Sequence, residues 1–452
     1  MTQLVVASTL FGAATAAAAV DAGLLGTPDG ERVLLIVNNA PAPELTPALD
    51  EIEGADPVLR RFDRTVHLTD LIAPTHPSGW SPGQRERPAM ERLLRKYWGL
   101  GDGPVDIVAE SVWVNPAQAL ARIFHSSPVT VYADGLMSYG PTRSALPLEI
   151  RQRLEGLLHL DLVPGLRPVL LSEYGIDPTI IPNESFRGII EEIAAKSHPA
   201  PEEEQPPTAL VVGQYLAALG LMTRADETRL HERMISAAAK SGAKHVRFKP
   251  HPSAPPSLAT PLADAATAAG VTFEIIDDPL PAEVLLAGRP YVAMVGCFST
   301  ALVTARTVFG VPSVAVDTGR ILKLLTPYEN SNRMPVTIID ALHRKDTPYT
   351  DPARLQELVG AVAYCMQPRA HEAHRDSTIE FLAGLPEGER RRYISDSRAG
   401  ALRLPGAPRK SAVVEAATDA ARAVLRHPAL GWVDQQTQGS PLRKKLARKV
   451  RG

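Results

Sequence analysis

Three loops of this sequence carry side chains that could do chemistry, and each loop directly follows a predicted strand. The first contains Asp134 and Gly135, after the apolar run Val129–Tyr132. Ligands of open parallel sheets bind beyond the carboxyl ends of the strands, so Asp134 would face a ligand. A carboxylate there could act as a general base toward a hydroxyl group. The alternative is a plain turn, because Asp-Gly is also a common turn pair.

The second loop reads Lys-Pro-His-Pro-Ser and follows the predicted strand His245–Lys249. Its histidine, His251, is held in extended backbone by the prolines on either side, one of which is Pro252. The imidazole could donate to a phosphate oxygen of a departing nucleotide and stabilise the charge that develops there. His-Pro also occurs at His76, where an acceptor-side role has no support, and at His198, which we expect to be inert. The alternative for His251 is therefore an ordinary exposed loop histidine.

The third loop joins the predicted strand Tyr291–Val295 to a helix that begins at about Ser299 and Thr300. Hydroxyl groups and free backbone amides at a helix N-terminus can bind a phosphate. Gly296 would let the backbone approach such a ligand closely. The alternative is that Ser-Thr is simply a good helix N-cap.

Glu283 lies in the first turn of a predicted helix, Pro281–Ala287, that precedes this strand. Its carboxylate could accept hydrogen bonds from ribose hydroxyl groups. An acidic side chain in a first helical turn also stabilises the helix dipole, and that explanation is sufficient by itself.

Short apolar runs alternate with helical patterns along the first half of the chain, which predicts a doubly wound parallel sheet. The predicted strands are Leu4–Ala7, Arg32–Val37, Thr65–Leu68, Asp106–Ala109, Val129–Tyr132 and Leu160–Val163, with helices at Pro88–Tyr97 and Pro116–Phe124 among them. The N-terminal apolar stretch lacks the positive charge of a signal peptide. We therefore expect a first strand, a cap at Ser8 and Thr9, and an Ala-rich helix to about Leu25.

A segment rich in proline and glutamate, 196–207, predicts a linker, after which the alternation starts again. The second set consists of strands Thr208–Val212, His245–Lys249, Thr272–Ile276, Tyr291–Val295 and Ser313–Val316, with helices Ala225–Ala239, Ser257–Ala268 and Pro281–Ala287 and one from about Thr300. We therefore expect two Rossmann-like domains, 1–195 and 208–380, that face each other across a ligand cleft, followed by a basic helical tail, 381–452.

The composition is that of an ordinary globular protein, with 452 residues, 44% apolar and 22% charged. A net charge of −2 gives no reason to expect a nucleic-acid partner. Two cysteines form no disulfide framework or zinc pattern, which fits a cytoplasmic protein. The last twelve residues, 441–452, carry six cations and are either a solvated tail or a peripheral contact with an anionic membrane surface, at the inner face of the plasma membrane.

The order of the three loops resembles that of the bacterial polysialyltransferase and sialyltransferase families, over roughly residues 1–330. Those enzymes have the GT-B fold and share an acidic-acidic-Gly motif, a His-Pro motif and a Ser-Ser/Thr motif. The matching positions here are Asp134-Gly135, His251-Pro252 and Ser299-Thr300. Identity outside these motifs is weak.

The resemblance implies a role for each matched residue. Asp134 would deprotonate the acceptor hydroxyl group, His251 would assist the loss of CMP, and Ser299 and Thr300 would hold its phosphate. Glu283 would correspond to a carboxylate that binds the ribose. The resemblance also implies an inverting reaction without a metal or other cofactor, in agreement with the lack of an Asp-X-Asp triplet in the sequence.

One position departs from the family pattern, because Ala133 replaces the first acidic residue of the first motif. The second carboxylate, Asp134, is the base in this interpretation, so chemistry can survive while acceptor recognition differs. The expected substrates are a CMP-linked sialic-acid-like sugar and a cell-surface glycan or glycolipid acceptor such as a capsule polysaccharide.

Three other functions remain open at this stage. A CDP-polyol phosphotransferase of the teichoic-acid type would also use His-Pro and Ser-Ser loops, but it would have His-Gly where this chain has Asp134-Gly135. A UDP-sugar 2-epimerase would share the architecture and need no acceptor. An inactive glycan-binding module is compatible with Ala133, although the retention of the three motifs argues against it.

Overall fold

The computed structural model describes residues 2–43, 46–198, 205–251 and 259–407. The chain forms two compact units, 1–374 and 375–452. Two parallel sheets lie in the first unit, and the described part of the second is helical. The predicted boundary between residues 380 and 381 falls inside a helix of the second unit, Arg375–Ala383.

Seven strands form the first sheet, and every neighbouring pair in it is parallel. They are β1 (Thr2–Ala7), β2 (Arg32–Ile36), β3 (Arg64–His67), β4 (Val105–Ala109), β5 (Val129–Ala133), β6 (Leu154–Leu160) and β7 (Pro178–Ile181). The spatial order is β3-β2-β1-β4-β5-β6-β7. It reverses between β1 and β4, which is where a doubly wound sheet opens a crevice for ligands.

Five strands form the second sheet, again all parallel. They are β8 (Thr208–Val212), β9 (His245–Lys249), β10 (Thr272–Ile275), β11 (Ala293–Gly296) and β12 (Ser313–Ala315). Their order, β10-β9-β8-β11-β12, reverses between β8 and β11. The prediction of two Rossmann-like halves is therefore confirmed. We call residues 2–198 the first lobe and residues 205–374 the second lobe.

Helices connect the strands and cover both sheets. They are α1 (Leu10–Asp21), α2 (Asp56–Leu59), α3 (Thr69–Ile72), α4 (Arg87–Tyr97), α5 (Ala117–Ile123), α6 (Leu148–Arg151), α7 (Asn183–Ser197), α8 (Arg224–Lys240), α9 (Ala259–Ala268), α10 (Ala282–Gly288), α11 (Ala301–Thr307), α12 (Thr318–Leu324), α13 (Arg333–His343), α14 (Pro352–Met366), α15 (Arg375–Ala383), α16 (Glu387–Tyr393) and α17 (Asp396–Leu402). Helix α14 returns to the first lobe, where Gln356 Oε1 accepts a hydrogen bond from the backbone of Arg167 at 2.7 Å.

The N-terminal apolar stretch forms β1 and α1, as predicted. Thr9 is the N-cap, and its hydroxyl accepts a hydrogen bond from the backbone of Gly12 at 3.0 Å. Alanines make α1 slim, so nearly all of it can be buried. The helix ends at Asp21, four residues before the predicted end, and Gly23 follows with a φ of 71°.

The predicted strand Leu160–Val163 is wrong, because β6 occupies Leu154–Leu160 instead. Glu155 and Gly156 weaken the strand pattern in the sequence, since neither residue type favours β structure. The pairing with β5 shifts register here, from Val129 opposite Leu154 to Thr130 opposite Gly156. Glu155 is thus an extra residue that a ladder of parallel strands tolerates as a bulge.

The segment predicted as a linker begins as helix, since α7 continues to Ser197. His198 follows and pairs with Asp278 at 2.6 Å. We expected this histidine to be inert, and the structure gives it a structural contact. Asp278 lies beyond β10, and this pair therefore joins the end of the first lobe to the second. Residues 199–204 lie outside the described part.

No helix in the described ranges is long and apolar enough to cross a membrane. The basic segment 441–452, which is either a solvated tail or a contact with a membrane surface in our sequence analysis, lies outside the described residues.

Candidate active site

The carboxyl ends of both sheets border one cleft of about 710 Å³. Its lining includes five of the residues predicted to carry chemistry, namely Asp134, His251, Glu283, Ser299 and Thr300. Two others are not brought into it by the described structure. Gly296 does not line the cleft, and Pro252 lies outside the described residues.

Gly296 has a packing role in this structure. A Cβ atom at this position would lie 2.9 Å from Cγ2 of Val212 on the neighbouring strand β8. The glycine therefore lets β11 lie against β8, and its predicted role in phosphate binding stays a prediction.

Asp134 follows β5, and the next residue, Gly135, brings this loop against the second lobe. A Cβ atom on Gly135 would lie 3.1 Å from Oγ1 of Thr300. The backbone N–H of Leu136 donates to the same Oγ1 at 3.3 Å. The Asp-Gly loop and the Ser-Thr loop, which come from different lobes, are thus in direct contact.

Glu110 is a second carboxylate beside Asp134, and the sequence analysis missed it. It follows β4, the strand next to β5, and its side chain is hydrogen-bonded with that of Asp134. Ser8 Oγ donates to Glu110 Oε2 at 2.8 Å. A Cβ atom on Gly12 would lie 2.7 Å from Glu110 Oε1, so only glycine there leaves room for the carboxyl group. Its position directly after a predicted strand, the criterion that selected Asp134, could have identified it.

The two carboxyl groups share a site that favours their neutral forms. Burial, together with the negative charge of Asp134, raises the pKa of Glu110 to about 8. Burial also raises the pKa of Asp134, while its hydrogen bond with Glu110 acts in the opposite direction. Two adjacent carboxylates resist double ionisation, so the pair retains one proton near neutral pH.

A second cavity of about 270 Å³ is also lined by Asp134. Asp134, Gly135 and Thr300 line both cavities, whereas Glu110 lines only the smaller one. The wall of the smaller cavity combines apolar side chains with one cation, and it includes Trp113, Val114, Met137 and Arg143. Arg143 donates to Ser331 Oγ at 2.8 Å and forms no ion pair with the described residues. A wall that combines apolar side chains with a few polar ones is typical of a site for a small organic ligand.

His251 follows β9, and a glycine positions its backbone. A Cβ atom on Gly213 would lie 2.9 Å from the Phe248 ring and 3.4 Å from the backbone nitrogen of His251. The imidazole stacks on Tyr215, with ring centroids 5.3 Å apart and an interplanar angle of 9°. Surrounding protein atoms desolvate the imidazole and lower its pKa, so it is neutral at pH 7. Nothing in the sequence pattern pointed to Tyr215.

His76 has a structural role. Its Nε2–H donates to the carbonyl oxygen of Ala40 at 2.9 Å, and its Nδ1 accepts from the backbone of Ser78 at 3.2 Å. Ala40 belongs to the loop after β2 that lines the main cleft. His76 therefore anchors a wall of the cleft.

Glu283 lies in the first turn of α10, as predicted, and it is buried. Burial raises the pKa of its carboxyl group, and the hydroxyl of Thr304 counteracts this by donating to Oε1 at 2.7 Å. Lys249 lies nearby with its Nζ donating to the carbonyl oxygen of Asp278 at 2.5 Å. A carboxylate held in this way could accept hydrogen bonds from a ligand in the cleft.

The Ser-Thr loop departs slightly from its prediction, because α11 begins at Ala301 and has Thr300 as its N-cap. Ser299 Oγ accepts from the backbone of Ala301 at 3.3 Å. The Thr300 side chain accepts no helical N–H and instead bonds Leu136 of the first lobe. Ser299 therefore supplies the capping hydroxyl group, and Thr300 makes a contact between the two lobes.

We expect Thr304→Val to destabilise the protein by about 1–3 kcal/mol, because it leaves one oxygen of the buried Glu283 carboxyl group without its donor. Urea unfolding at neutral pH measures this. Thr15→Val is the matched control, since Thr15 is equally buried and its hydroxyl bonds only the carbonyl oxygen of Phe11 within its own helix. Equal losses in the two variants would contradict the assigned role of Thr304.

Comparisons with known proteins relate the chain to one family and to several solved structures. The family model for alpha-2,8-polysialyltransferase matches residues 3–318. No protein with a curated description is similar to the chain in sequence. Solved structures of similar fold include a Photobacterium damselae sialyltransferase, residues 113–497 corresponding to its GT-B domain, with 14% identity, 75% of this chain and 96% of that chain covered, and a TM-score of 0.39.

Two further solved structures are similar at the same level. One is Acinetobacter baumannii MurG, with 12% identity, 83% of this chain and 94% of that chain covered, and a TM-score of 0.36. The other is a complex of S. aureus MnaA with UDP, with 14% identity, 80% and 96% covered, and a TM-score of 0.41.

Two Rossmann-like lobes that enclose a cleft at the carboxyl ends of their sheets define the GT-B class, and the protein is a glycosyltransferase of this class. The chain belongs to the alpha-2,8-polysialyltransferase family, whose model covers well over half of its length.

Proposed function

We propose that this glycosyltransferase moves a sialic-acid-like sugar from a CMP donor to a hydroxyl group of a cell-surface glycan, by a single inverting displacement without a metal ion. One observation carries the proposal, which is that Asp134 lines both cavities. A donor in the larger cavity and an acceptor in the smaller one would meet at this carboxylate. The family membership of the chain supports the choice of sugar.

Asp134 would take the proton of the acceptor hydroxyl group as that oxygen attacks the anomeric carbon of the donor. The bond from the anomeric carbon to the phosphate oxygen breaks on the opposite face, and its electron pair leaves with CMP. His251 and the hydroxyl groups of Ser299 and Thr300 would donate hydrogen bonds to the departing phosphate. Glu283 would accept from the ribose. These four residues line the larger cavity together with Asp134.

The charge of the larger cavity supports a nucleoside monophosphate as leaving group. Among its described lining residues, only Lys249 and His251 carry basic side chains. Burial lowers the pKa of Lys249, its ammonium group is bonded to a backbone carbonyl, and the acidic groups Asp278 and Glu283 lie near it. A diphosphate without a metal ion needs several charge-assisted donors, whereas a monophosphate needs fewer.

We expect CMP to raise the melting temperature more than CDP, UDP or GDP at equal concentration in the presence of EDTA. Binding to the folded state alone stabilises by mass action, so the nucleotide with the lowest Kd gives the largest shift. Calorimetric titration then provides Kd directly. A preference for CDP would favour the polyol phosphotransferase, a preference for UDP would favour the epimerase, and binding of none would favour the inactive module.

A further inference from the structure

We propose that Glu110 is a positioning residue for Asp134, and that its carboxyl group donates an O–H···O hydrogen bond that orients the Asp134 carboxylate toward the acceptor hydroxyl group. The inference rests on the proposed function and deepens it. It assigns a role to a residue that lies outside the three motifs.

The geometry of adjacent strands places the pair together. Strand β4 runs parallel to β5, with Ala109 opposite Val131, so both strands end at the same edge of the sheet. Glu110 and Asp134 follow these ends and line the smaller cavity together. Residue 133, directly before Asp134, is alanine and carries no carboxyl group. The second carboxyl group of this site therefore comes from the neighbouring strand.

Two contacts hold the Glu110 carboxyl group in place. Ser8 Oγ donates to Oε2 at 2.8 Å, so Oε2 acts as an acceptor in that bond. Gly12 leaves room beside Oε1, where any side chain would begin 2.7 Å away. Anchored by a donor from one loop and packed against a helix, the Glu110 carboxyl group is held beside Asp134 at the edge of the smaller cavity.

The number of protons on the two carboxyl groups before and after transfer is consistent with this role. Before transfer, Glu110 carries one proton and Asp134 carries none. The acceptor O–H bond then breaks, its proton moves to Asp134, and its electron pair forms the new glycosidic bond while CMP leaves. Both carboxyl groups are now neutral, and the loss of one proton to solvent restores the starting state.

The other titratable groups near the pair do not substitute for this proton. Tyr132 of β5 interacts with the pair through charge, but its hydroxyl donates to the carbonyl oxygen of Val6 at 2.8 Å, and burial raises its pKa well above the ordinary value. Glu283 of the second lobe interacts with Asp134 through charge and is itself bonded to Thr304. No basic side chain of the described residues is hydrogen-bonded to Glu110, so the pair has to retain its own proton.

The test compares Glu110→Ala with Glu110→Gln. Alanine removes the donor, and we expect kcat to fall about tenfold to a hundredfold with little change in the KM values, because the base is misplaced. Glutamine keeps an N–H donor of the same shape and should recover part of kcat. Glu184→Gln, in an exposed first turn of α7, is the matched control and should leave kcat unchanged.

The pH profile separates positioning from a purely structural role. Above about pH 8 Glu110 loses its proton and can no longer donate, so wild-type kcat should decrease as the pH rises further. Glutamine cannot ionise, and the Glu110→Gln profile should lack this decrease. Wild-type kcat in Glu110→Ala, or an unchanged alkaline decrease in Glu110→Gln, would overturn the proposal.

Infrared spectroscopy provides a readout that needs no substrate. At pH 7 the wild-type protein should show a C=O stretching band of a protonated carboxyl group that is absent in Glu110→Gln and shifted in Asp134→Asn. If the protein proves inactive with CMP-sugars yet shows this band, the proposed function fails and the proton-sharing pair stands. If transfer occurs and the band is the same in all three proteins, the pair is refuted and the function stands.

Discussion

Asp134→Ala should abolish sugar transfer while CMP binds with near wild-type affinity. Asp134 carries the carboxylate that lines both cavities, next to Gly135 and Thr300, and general-base catalysis contributes about 10²–10⁴-fold to rate. Its contacts are with Glu110 of the first lobe, whereas the predicted phosphate and ribose partners belong to the second. We therefore expect kcat to decrease by that factor in radiometric transfer assays, and the Kd for CMP from calorimetry to change little.

Asp134→Asn tests the same point without a change of volume, and it should be as inactive as the alanine variant. Asp102→Asn is the matched control, because Asp102 is exposed in the loop before β4 and should retain full activity. Substantial transfer by either Asp134 variant would refute the assignment of the base.

His251→Ala should lower both turnover and nucleotide affinity. At pH 7 the neutral imidazole still has one N–H to donate, and the removal of one such donor from a developing charge costs about 10²–10³-fold in kcat. The same donor bonds the phosphate in the ground state, so its loss should weaken the binding free energy of CMP by about 1–3 kcal/mol and raise the Kd accordingly. Single-turnover kinetics and calorimetry measure the two effects separately.

His125→Ala is the control for this variant, because His125 is exposed on the surface of the first lobe and does not line either cavity. Its kcat and Kd should equal those of the wild type. If the His251 variant has normal CMP affinity but low kcat, the imidazole stabilises the transition state alone. If both values are normal, His251 has no role in the reaction.

The sequence predicted the second sheet well because each of its strands has β-branched or aromatic residues and has proline or glycine at or near its ends. Strands Thr208–Val212 and His245–Lys249 were predicted with the bounds that the structure has. The first sheet was predicted less completely at its far edge. Glu155 and Gly156 interrupt the apolar pattern of β6, and two of the four residues of β7 are exposed, so neither has the continuous apolar pattern of a buried parallel strand.

Five predicted site residues line one cleft because each was chosen by its position after a parallel strand or at the start of a helix beyond one, and such positions meet at one edge. Glu110 satisfies the same rule but lacks a neighbouring glycine or motif to mark it. Its position after a strand could be read from the sequence, but its packing against Gly12 and Ser8, which lie about a hundred positions earlier, is visible only in the folded chain. The stacking of Tyr215 on His251 is a long-range contact of the same kind.

The bond between Leu136 N–H and Thr300 Oγ1 has a consequence for kinetics. A phosphate that used the Thr300 hydroxyl would alter a contact that the acceptor cavity shares, so occupancy of one cavity would change the affinity of the other. Thermodynamic reciprocity makes that change equal in both directions. The affinity for each substrate should then depend on whether the other is bound. Inhibition by the product CMP should therefore vary with acceptor concentration.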